Sequence, residues 1–288
     1  MNEPEESSAV SSPALARGHK RRVRTELLVE TVFRPLASLL VLVLEPLRVV
    51  PPAVVLANAA AGFAAAALVA GEQPLAAAIL LQVKSLLDNA DGQLARATGR
   101  TSALGRYLDT EADFVVNVAL FAALATVTGS PALAAVSLVA LTFVLSADFN
   151  EDVLHRRSRG EAVVTEPSPA GEGRLARALA GVYRAVFSPQ DRALQALSGR
   201  RLDRMLAGVT DPERRLAATR RYYDGFTAAA LANLGLSTQL AALGVCLVLG
   251  APTLYLWLVL ACALFVALLQ LRRELVTWRA LRRPSFAG

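Results

Sequence analysis

Six apolar segments constrain the fold of this 288-residue chain more than any other feature. They lie at about residues 53–70, 75–97, 104–128, 132–154, 222–249 and 252–272. Each is close to the roughly 20 residues that an α-helix needs to cross the hydrocarbon core of a bilayer. The chain is also 54% hydrophobic and only 19% charged, a composition that is rare among soluble proteins of this size. The sequence therefore predicts an all-α integral membrane protein with six transmembrane helices.

The segments around these spans divide the chain into five regions. Residues 1–24 are polar and then basic, which predicts a disordered cytoplasmic arm without a signal peptide. Residues 25–50 carry charges around a short apolar run, which predicts an interfacial amphipathic helix, with an additional partial span as the alternative. Residues 51–155 hold the first four spans. Residues 156–221 form a cytoplasmic insert whose amphipathic helices cover the mouth of the bundle or lie on the bilayer, and residues 222–288 hold the last two spans and a cytoplasmic tail.

Four aspartates lie where the second and third spans meet. On helices, Asp88 and Asp91 form an i,i+3 pair and Asp109 and Asp113 form an i,i+4 pair, so each pair shares one helix face. The short turn between the two spans makes them antiparallel neighbours and brings all four carboxylates together. Like charges beside lipid are costly unless a cation neutralises them. Oxygen ligands without His or Cys nearby favour Mg²⁺, Mn²⁺ or Ca²⁺ over Zn²⁺.

Eight residues of this stretch follow the pattern DxxDGxxAR…GxxxDxxxD. They are Asp88, Asp91, Gly92, Ala95, Arg96, Gly105, Asp109 and Asp113. The sequence thereby resembles the CDP-alcohol phosphotransferase (CDP-alcohol phosphatidyltransferase) family. The resemblance implies a membrane enzyme of phospholipid synthesis in which an acceptor hydroxyl attacks a CDP-linked alcohol, most simply CDP-diacylglycerol, and releases CMP. It also implies two divalent ions, Mg²⁺ or Mn²⁺, and a homodimer among membrane lipids.

The resemblance assigns roles to the acidic residues. Asp88, Asp91 and Asp109 are the expected metal ligands. Asp113 lies one turn deeper, and the family implies that it is the general base that takes the proton of the acceptor hydroxyl. A fourth metal ligand is the alternative role for Asp113, since the two roles are hard to separate in a coupled cluster.

Other residues of the motif are candidates for substrate binding. Gly92 and Gly105 lie one turn from an aspartate on the same helix faces and allow close approach by the nucleotide or a neighbouring helix. Arg96 would pair with the pyrophosphate or brace an aspartate. Lys84 lies one turn before Asp88 and would form an ion pair with it or bind an anionic acceptor. The family's usual Pro-Asn and following Thr are absent from the first span, so Asn58 is the candidate to replace that polar group.

Charge predicts the topology of the chain. The turns at 71–74, 128–131 and 250–252 contain no Lys or Arg, whereas the opposite ends of the spans carry arginine clusters. The positive-inside rule then puts both termini and the aspartates on the cytoplasmic side, with the cell (plasma) membrane as the expected location. The net charge of +6 suits an anionic membrane surface. It does not indicate nucleic-acid binding, because no basic stripe with interleaved aromatic residues is present.

Several other residues carry weaker expectations. Cys246 and Cys262 lie in apolar runs and are expected to be packed thiols. His19 and His155 lie in basic stretches and are expected to be solvated loop residues. Polar residues in the fourth and fifth spans would line an acceptor pocket or form interhelical hydrogen bonds: Asp148, Asn150, Asn233, Ser237 and Thr238.

The acceptor alcohol itself stays open, and two other function classes are alternatives. Inositol phosphate, glycerol phosphate, serine, or a lipid acceptor with a soluble CDP-alcohol donor all fit the motif. An intramembrane prenyltransferase also uses aspartates and Mg²⁺, but it usually has two acidic motifs on distant helices. An ion or solute transporter is the non-enzymatic alternative, and it predicts corresponding acidic or broken-helix features in two internal repeats, which the sequence lacks.

Overall fold

The computed structural model describes residues 26–282, and within that range the chain is helical with no β-strand. A π-helical turn at Val29–Phe33 leads into the first of the eleven α-helices that this described part of the chain contains. These are α1 Arg34–Leu44, α2 Pro51–Ala70, α3 Pro74–Ala97, α4 Ala103–Thr128, α5 Pro131–Arg157, α6 Gly173–Val186, α7 Ser188–Leu206, α8 Pro212–Tyr222, α9 Gly225–Ala232, α10 Leu236–Val248 and α11 Pro252–Leu281. The predicted arm at 1–24, His19 and the end of the tail at 283–288 lie outside the described residues.

Proline begins most of the long helices. Pro51, Pro74, Pro131 and Pro252 each occupy the first helical position, where the missing amide hydrogen costs nothing and the fixed φ suits the helix. The predicted starts of the first, second, fourth and sixth spans are therefore correct to within two residues. Gly129 ends α4 with a φ of 62°, a conformation that glycine adopts without strain.

Within residues 26–282, five helical stretches are long and apolar enough to cross a membrane. They are α2, α4, α5, α11 and the stretch Pro212–Val248. α3 is not among them because Lys84, Asp88 and Asp91 interrupt its apolar sequence. α3 nevertheless packs against α1, α2 and α10, so its charged side chains face other helices. The chain is thus an all-α, multi-pass membrane protein, and the count of six spans stays a prediction.

The centre of the bundle is built around α2. This helix packs closely against both α3 and α4, whereas those two helices make little backbone contact with each other. Gly62 permits the close approach, because a Cβ at this position would lie 3.0 Å from Val116 Cγ2 and 3.3 Å from Lys84 Cδ. α3 and α4 are therefore held as neighbours across a gap, and the carboxylates of both helices project into it.

The fifth span is not the continuous helix that its apolar sequence over 222–249 predicts. α9 ends at Ala232 and α10 begins at Leu236. Asn233 and Gly235 break the helix, and the backbone amide of Leu27 donates to Asn233 Oδ1 at 2.9 Å. A Cβ at Gly235 would lie 3.0 Å from Glu26 Oε1, so glycine gives room for the start of the described chain. The prediction was wrong here because tertiary contacts with a distant segment stabilise the break.

The segment preceding α2 is helical, as the sequence predicts, and its helix α1 carries apolar residues on both its buried and its exposed face. Ala37 and Val41 of α1 are buried against α3 residues such as Leu94, whereas Leu39 and Val43 on the other face are exposed. An exposed apolar face on a helix at the edge of a bundle is typical of a helix that lies in the membrane interface. The interfacial location itself stays a prediction.

The expectation that His155 is a solvated loop residue was wrong. The residue lies in the last turn of α5 and its side chain is only 1% exposed. Its Nδ1 lies 2.9 Å from the carbonyl oxygen of Tyr223, which follows α8. The helix continues through the basic stretch 155–157, and the insert folds back over it. Cys246 and Cys262 are free thiols, as expected.

Candidate active site

The end of α3 and the beginning of α4 bring carboxylates together. Asp88, Asp91 and Asp109 have oxygen atoms that all lie within 4.8 Å of one another. The turn between the helices ends at Ser102, whose side-chain oxygen accepts a hydrogen bond from the amide of Gly105 at 3.0 Å and so begins α4. Glu172 of the insert accepts from the amides of Ala103 and Leu104 at 2.9 and 2.6 Å. The start of α4 is therefore fixed from two sides.

The cluster fits a hard divalent cation. Asp91 Oδ2 and Asp109 Oδ1 are buried and have no hydrogen-bond partner among the described residues. A buried carboxylate oxygen without a donor carries a desolvation cost that a bound cation removes. Three carboxylates without a thiolate or imidazole form a ligand set of the kind that Mg²⁺, Mn²⁺ or Ca²⁺ prefers.

Lys84 forms its ion pair with Asp113 and not with Asp88, the partner that the sequence suggested. Lys84 Nζ donates to Asp113 Oδ1 at 2.6 Å, and the Lys84 side chain is 0% exposed. The sequence placed Lys84 on the same helix face as Asp88 and suggested an ion pair between those two. Asp113 reaches across from α4 and takes the direct contact. It also lies close enough to Asp88 for the two carboxylates to interact.

Asn58 occupies the polar position that the first span was expected to supply. Its side chain is 1% exposed, and Nδ2 donates to Asp88 Oδ1 at 3.3 Å. An amide donor to a carboxylate helps to fix the orientation of the carboxylate. α2 thus contributes a hydrogen bond to the cluster although it carries none of the charge.

The remaining motif residues lie around the cluster. The Arg96 guanidinium lies across Gly92, where a Cβ would be 3.1 Å from Arg96 Nη1. At Gly105, a Cβ would meet only Ser102 Oγ at 3.2 Å, so the space beside the first turn of α4 is open. Glycine therefore makes room for an arginine on α3 and leaves free space on α4.

A cavity of about 470 Å³ opens beside the carboxylates. Asp88, Asp109 and Asp113 line one side of it, whereas Lys84 does not line it. The other walls come from the start of the described chain, from α5, from the insert segment 183–191, and from the break in the fifth span with the start of α10. Their polar and aromatic members are Glu26, Thr142, Ser146, Asp148, Phe149, Asp152, Tyr183, Phe187, Asp191 and Ser237.

The insert covers the mouth of this cavity with aromatic and hydrogen-bonded side chains. Phe187 meets Phe114 of α4 edge to face, with ring centroids 5.4 Å apart. Asp191 accepts from Asn150 Nδ2 at 2.7 Å and from the Tyr183 hydroxyl at 3.3 Å. Burial raises the pKa of Asp191, and burial together with this carboxylate raises the pKa of Tyr183 to about 12. Tyr183 of α6 and Asp191 of α7 thus line this cavity, and the position of the insert helices relative to the bilayer stays a prediction.

Several cavity residues were not found from the sequence. Of the five polar residues suggested for an acceptor pocket, only Asp148 and Ser237 line the cavity. Asn117 also lines it, and its spacing of four residues from Asp113 on α4 is a signal that could have identified it. Tyr183 and Asp191 had no such signal, because their placement depends on how the insert folds back.

Comparison with known proteins gives the family of this region. Residues 48–164 match the family model described as CDP-alcohol phosphatidyltransferase. A relative described as "Bifunctional IPC transferase and DIPP synthase", from Aquifex aeolicus (strain VF5), is 48% identical over 59 residues. That alignment covers 20% of this chain and 14% of the relative, so the chain spans only a small part of the curated protein that it matches. No solved structure matches the chain. Residues 48–164, which carry the carboxylate cluster, are therefore similar to the CDP-alcohol phosphatidyltransferase family.

Proposed function

We propose that this protein is a membrane phosphotransferase of phospholipid synthesis. It moves a substituted phosphate group from a CDP-linked alcohol, with CDP-diacylglycerol as the proposed donor, to the hydroxyl of an acceptor alcohol, and it releases CMP. The observation that carries the proposal is the group formed by Asp88, Asp91 and Asp109, which lies beside a cavity within the matched family region.

The proposed cofactor is a pair of Mg²⁺ or Mn²⁺ ions. Asp88, Asp91 and Asp109 would hold the metal, with Asp113 as a fourth ligand if it does not act as the base. When bound, the ions would neutralise the charge of the donor pyrophosphate, which is the main electrostatic requirement of phosphoryl transfer. The buried carboxylate oxygens without donors support this assignment.

Asp113 is the proposed general base. Lys84 holds Oδ1 of this carboxylate, which leaves Oδ2 for the acceptor hydroxyl. The acceptor oxygen attacks the phosphorus that carries the donor alcohol, and its proton passes to Asp113. A new P–O bond forms as the bond from that phosphorus to the bridging pyrophosphate oxygen breaks, and the electron pair leaves with CMP. Lys84, which is fully buried, then acts as a positioning residue rather than as a direct substrate ligand.

Three motif residues are proposed to contact the donor. The open space beside Gly105 would admit the nucleotide or its pyrophosphate close to the start of α4. Arg96 extends over Gly92 near the end of α3, where a guanidinium can pair with phosphate oxygens. Glycine at both positions would keep side chains out of the space that the donor and Arg96 need.

We further propose a plasma-membrane location, with both termini and the active site on the cytoplasmic side, and a homodimer. The arginine-rich ends of the spans support the orientation. A row of exposed small residues on α2 supports close contact with a second copy: Ala53, Ala57, Ala60, Ala64 and Ala67. Cysteine accessibility from each side of the membrane tests the topology. Cross-linking of an Ala60→Cys variant in membranes tests the dimer.

The central test is CMP release from CDP-diacylglycerol by purified protein with Mg²⁺ and a panel of acceptor alcohols. We expect EDTA and the variant Asp109→Asn to abolish release. Asp113→Asn should lower kcat by about 10²–10⁴-fold, the usual range for loss of a general base. Asp203→Asn, at an exposed position on α7, is the matched control and should keep full activity.

Other outcomes of the same assay would contradict the proposal. Solute uptake without CMP formation would favour a transporter. Pyrophosphate release from a prenyl diphosphate without CMP formation would favour a prenyltransferase. Full turnover by Asp113→Asn would remove the base assignment alone.

A further inference from the structure

A second cavity, of about 330 Å³, lies between α5, α7, α9 and α11. Ala147 and Leu154 of α5 line it, and they lie on the helix face opposite Asp148 and Asp152, which line the cavity beside the carboxylates. Among residues 26–282, the two cavities have no lining residue in common. The volume of the second cavity is within the usual range for sites that bind small molecules. It is therefore a separate candidate binding site, and the roles assigned so far make no use of it.

One end of the second cavity is apolar. Leu231 of α9 packs there against Val266 and Leu269 of α11, and all three side chains are buried. Leu197 and Leu271 also line the cavity, although they are 49% and 54% exposed. The cavity thus reaches the surface of the helix bundle, and an apolar chain could enter it from the side.

The other end of the second cavity carries two guanidiniums. Buried Arg273 donates to Glu151 at 2.5 Å and to Ser198 at 3.0 Å, and its Nε has no hydrogen-bond partner among the described residues. Arg201 is 37% exposed and donates through Nη1 to Glu274 at 2.8 Å. Both guanidiniums therefore already pair with a carboxylate, but each has further N–H groups that can donate to a ligand oxygen. A buried donor without an acceptor is costly, and an oxygen of a ligand would remove that cost.

The two ends of the second cavity lie at different depths along α11. This helix has no charged residue over the 20 residues from Pro252 to Leu271, the length that crosses the hydrocarbon core of a bilayer. Val266 lies inside this uncharged stretch, whereas Arg272 and Arg273 follow it directly. The apolar end of the cavity therefore corresponds to the acyl chains of the bilayer, and the end with the guanidiniums corresponds to the headgroups.

We propose that the second cavity binds one phospholipid of the surrounding membrane as a ligand and not as a substrate. An acyl chain would lie against Leu231 and Val266, the phosphate would accept hydrogen bonds from Arg201, and an ester oxygen would accept from Arg273. A phospholipid has an apolar chain and a phosphate in the same order as the two ends of the cavity, and a guanidinium is well suited to phosphate. This inference does not depend on the proposed transferase function, because it needs only the membrane.

The test is a binding titration of the purified full-length chain, which is first freed of lipid in detergent, with native mass spectrometry as the readout. EDTA is present, so that no metal holds a lipid phosphate at the carboxylate cluster. The probes are dioleoyl phosphatidylglycerol, dioleoylglycerol without the phosphate, and inorganic phosphate. We expect one phosphatidylglycerol to bind per chain, with a Kd at least about tenfold lower than that of dioleoylglycerol, a difference of about 1.4 kcal/mol. Inorganic phosphate at the same concentration should not displace the lipid.

Variants of the cavity wall test the location. Ala267→Trp puts a large ring at an exposed position that lines the cavity, and it should raise the Kd for phosphatidylglycerol at least about tenfold. Ala261→Trp, at an exposed position of the same helix away from the cavity, is the matched control and should leave the Kd unchanged. Arg201→Gln should also raise the Kd about tenfold, whereas Arg201→Lys keeps the charge and should retain more binding. Arg200→Gln, at an exposed position beside it, controls for the general loss of positive charge.

Three outcomes would overturn the inference. An equal Kd in Ala267→Trp and Ala261→Trp would show that the lipid binds elsewhere. Equal affinity for phosphatidylglycerol and dioleoylglycerol would remove the phosphate contact with Arg201. A raised KM for CDP-diacylglycerol in Ala267→Trp would show that the cavity holds the donor and not a separate lipid. Because lipid binding is measured without turnover, a failure to release CMP would contradict the proposed transferase function alone.

Discussion

Removal of the Lys84 ammonium is the sharpest test of how the site is held together. Lys84 is fully buried and Asp113 is 18% exposed, so the pair at 2.6 Å is largely shielded from water. The nearly isosteric change Lys84→Met leaves Asp113 beside the other carboxylates without its cation. Loss of one partner of a buried ion pair costs about 3–5 kcal/mol. At roughly 2–4 °C per kcal/mol, Tm should fall by about 6–20 °C.

The assay is thermal unfolding of the purified protein in detergent, first with EDTA and then with Mg²⁺. With EDTA the full loss should appear, and Mg²⁺ should recover part of it because the cation offsets the uncompensated carboxylate. The double variant Lys84→Met/Asp113→Asn should be more stable than the sum of the two single losses predicts, with a coupling of about 0.5–3 kcal/mol. A loss below about 1 kcal/mol in Lys84→Met, or strictly additive single losses, would refute the reasoning.

Three further changes test the packing around the site. Gly62→Ala should destabilise the protein by about 1–3 kcal/mol in thermal unfolding because the new methyl group clashes with Val116. This loss should appear although alanine is the better helix former. A gain in stability would contradict the close packing of α2 and α4. Glu172→Gln should weaken the N-terminal cap of α4 by about 0.5–2 kcal/mol and speed hydrogen exchange of the backbone amides in the first turn of α4. An unchanged hydrogen-exchange rate would show that this cap does not stabilise the helix. Arg273→Met should cost about 3–5 kcal/mol in thermal unfolding because it removes one partner of the buried ion pair between Arg273 and Glu151, whose charged atoms lie 2.5 Å apart. The double variant Arg273→Met/Glu151→Gln should recover part of that loss. Equal stability of the single variant and the unmodified chain would contradict this prediction.

The parts of the molecule that follow helical periodicity could be predicted from the sequence. The spacing of Asp88, Asp91 and Asp109 fixes which helix faces they share, and the short turn between α3 and α4 brings those faces to one end of the bundle. Three of the four carboxylates that were predicted to converge, those of Asp88, Asp91 and Asp109, have oxygen atoms within 4.8 Å of one another. Helix starts at proline were equally accessible, since the ring determines both the φ angle and the missing donor.

The features that depend on contacts between distant segments could not be predicted. The partner of Lys84 depends on the rotation of α4 relative to α3, which periodicity within one helix does not determine. His155 is buried because the chain around Tyr223 folds back over the end of α5. The insert residues that close the cavity, such as Tyr183, come from helices whose amphipathic pattern fits a membrane surface as well as a protein surface.

The break at Asn233 and Gly235 has a mechanical consequence for the site. α9 packs against α5, whereas α10 packs against α3. The two walls of the cavity therefore contact two separate helices and not one continuous helix. The joint leaves few polar backbone groups unpaired, because the amides of Leu234 and Gly235 donate within the joint and Gln239 donates to the carbonyl oxygen of Leu234. A displacement of α9 is therefore not transmitted to α10 along a continuous helix. A change in the gap between the two walls would therefore not require a helical turn to unfold.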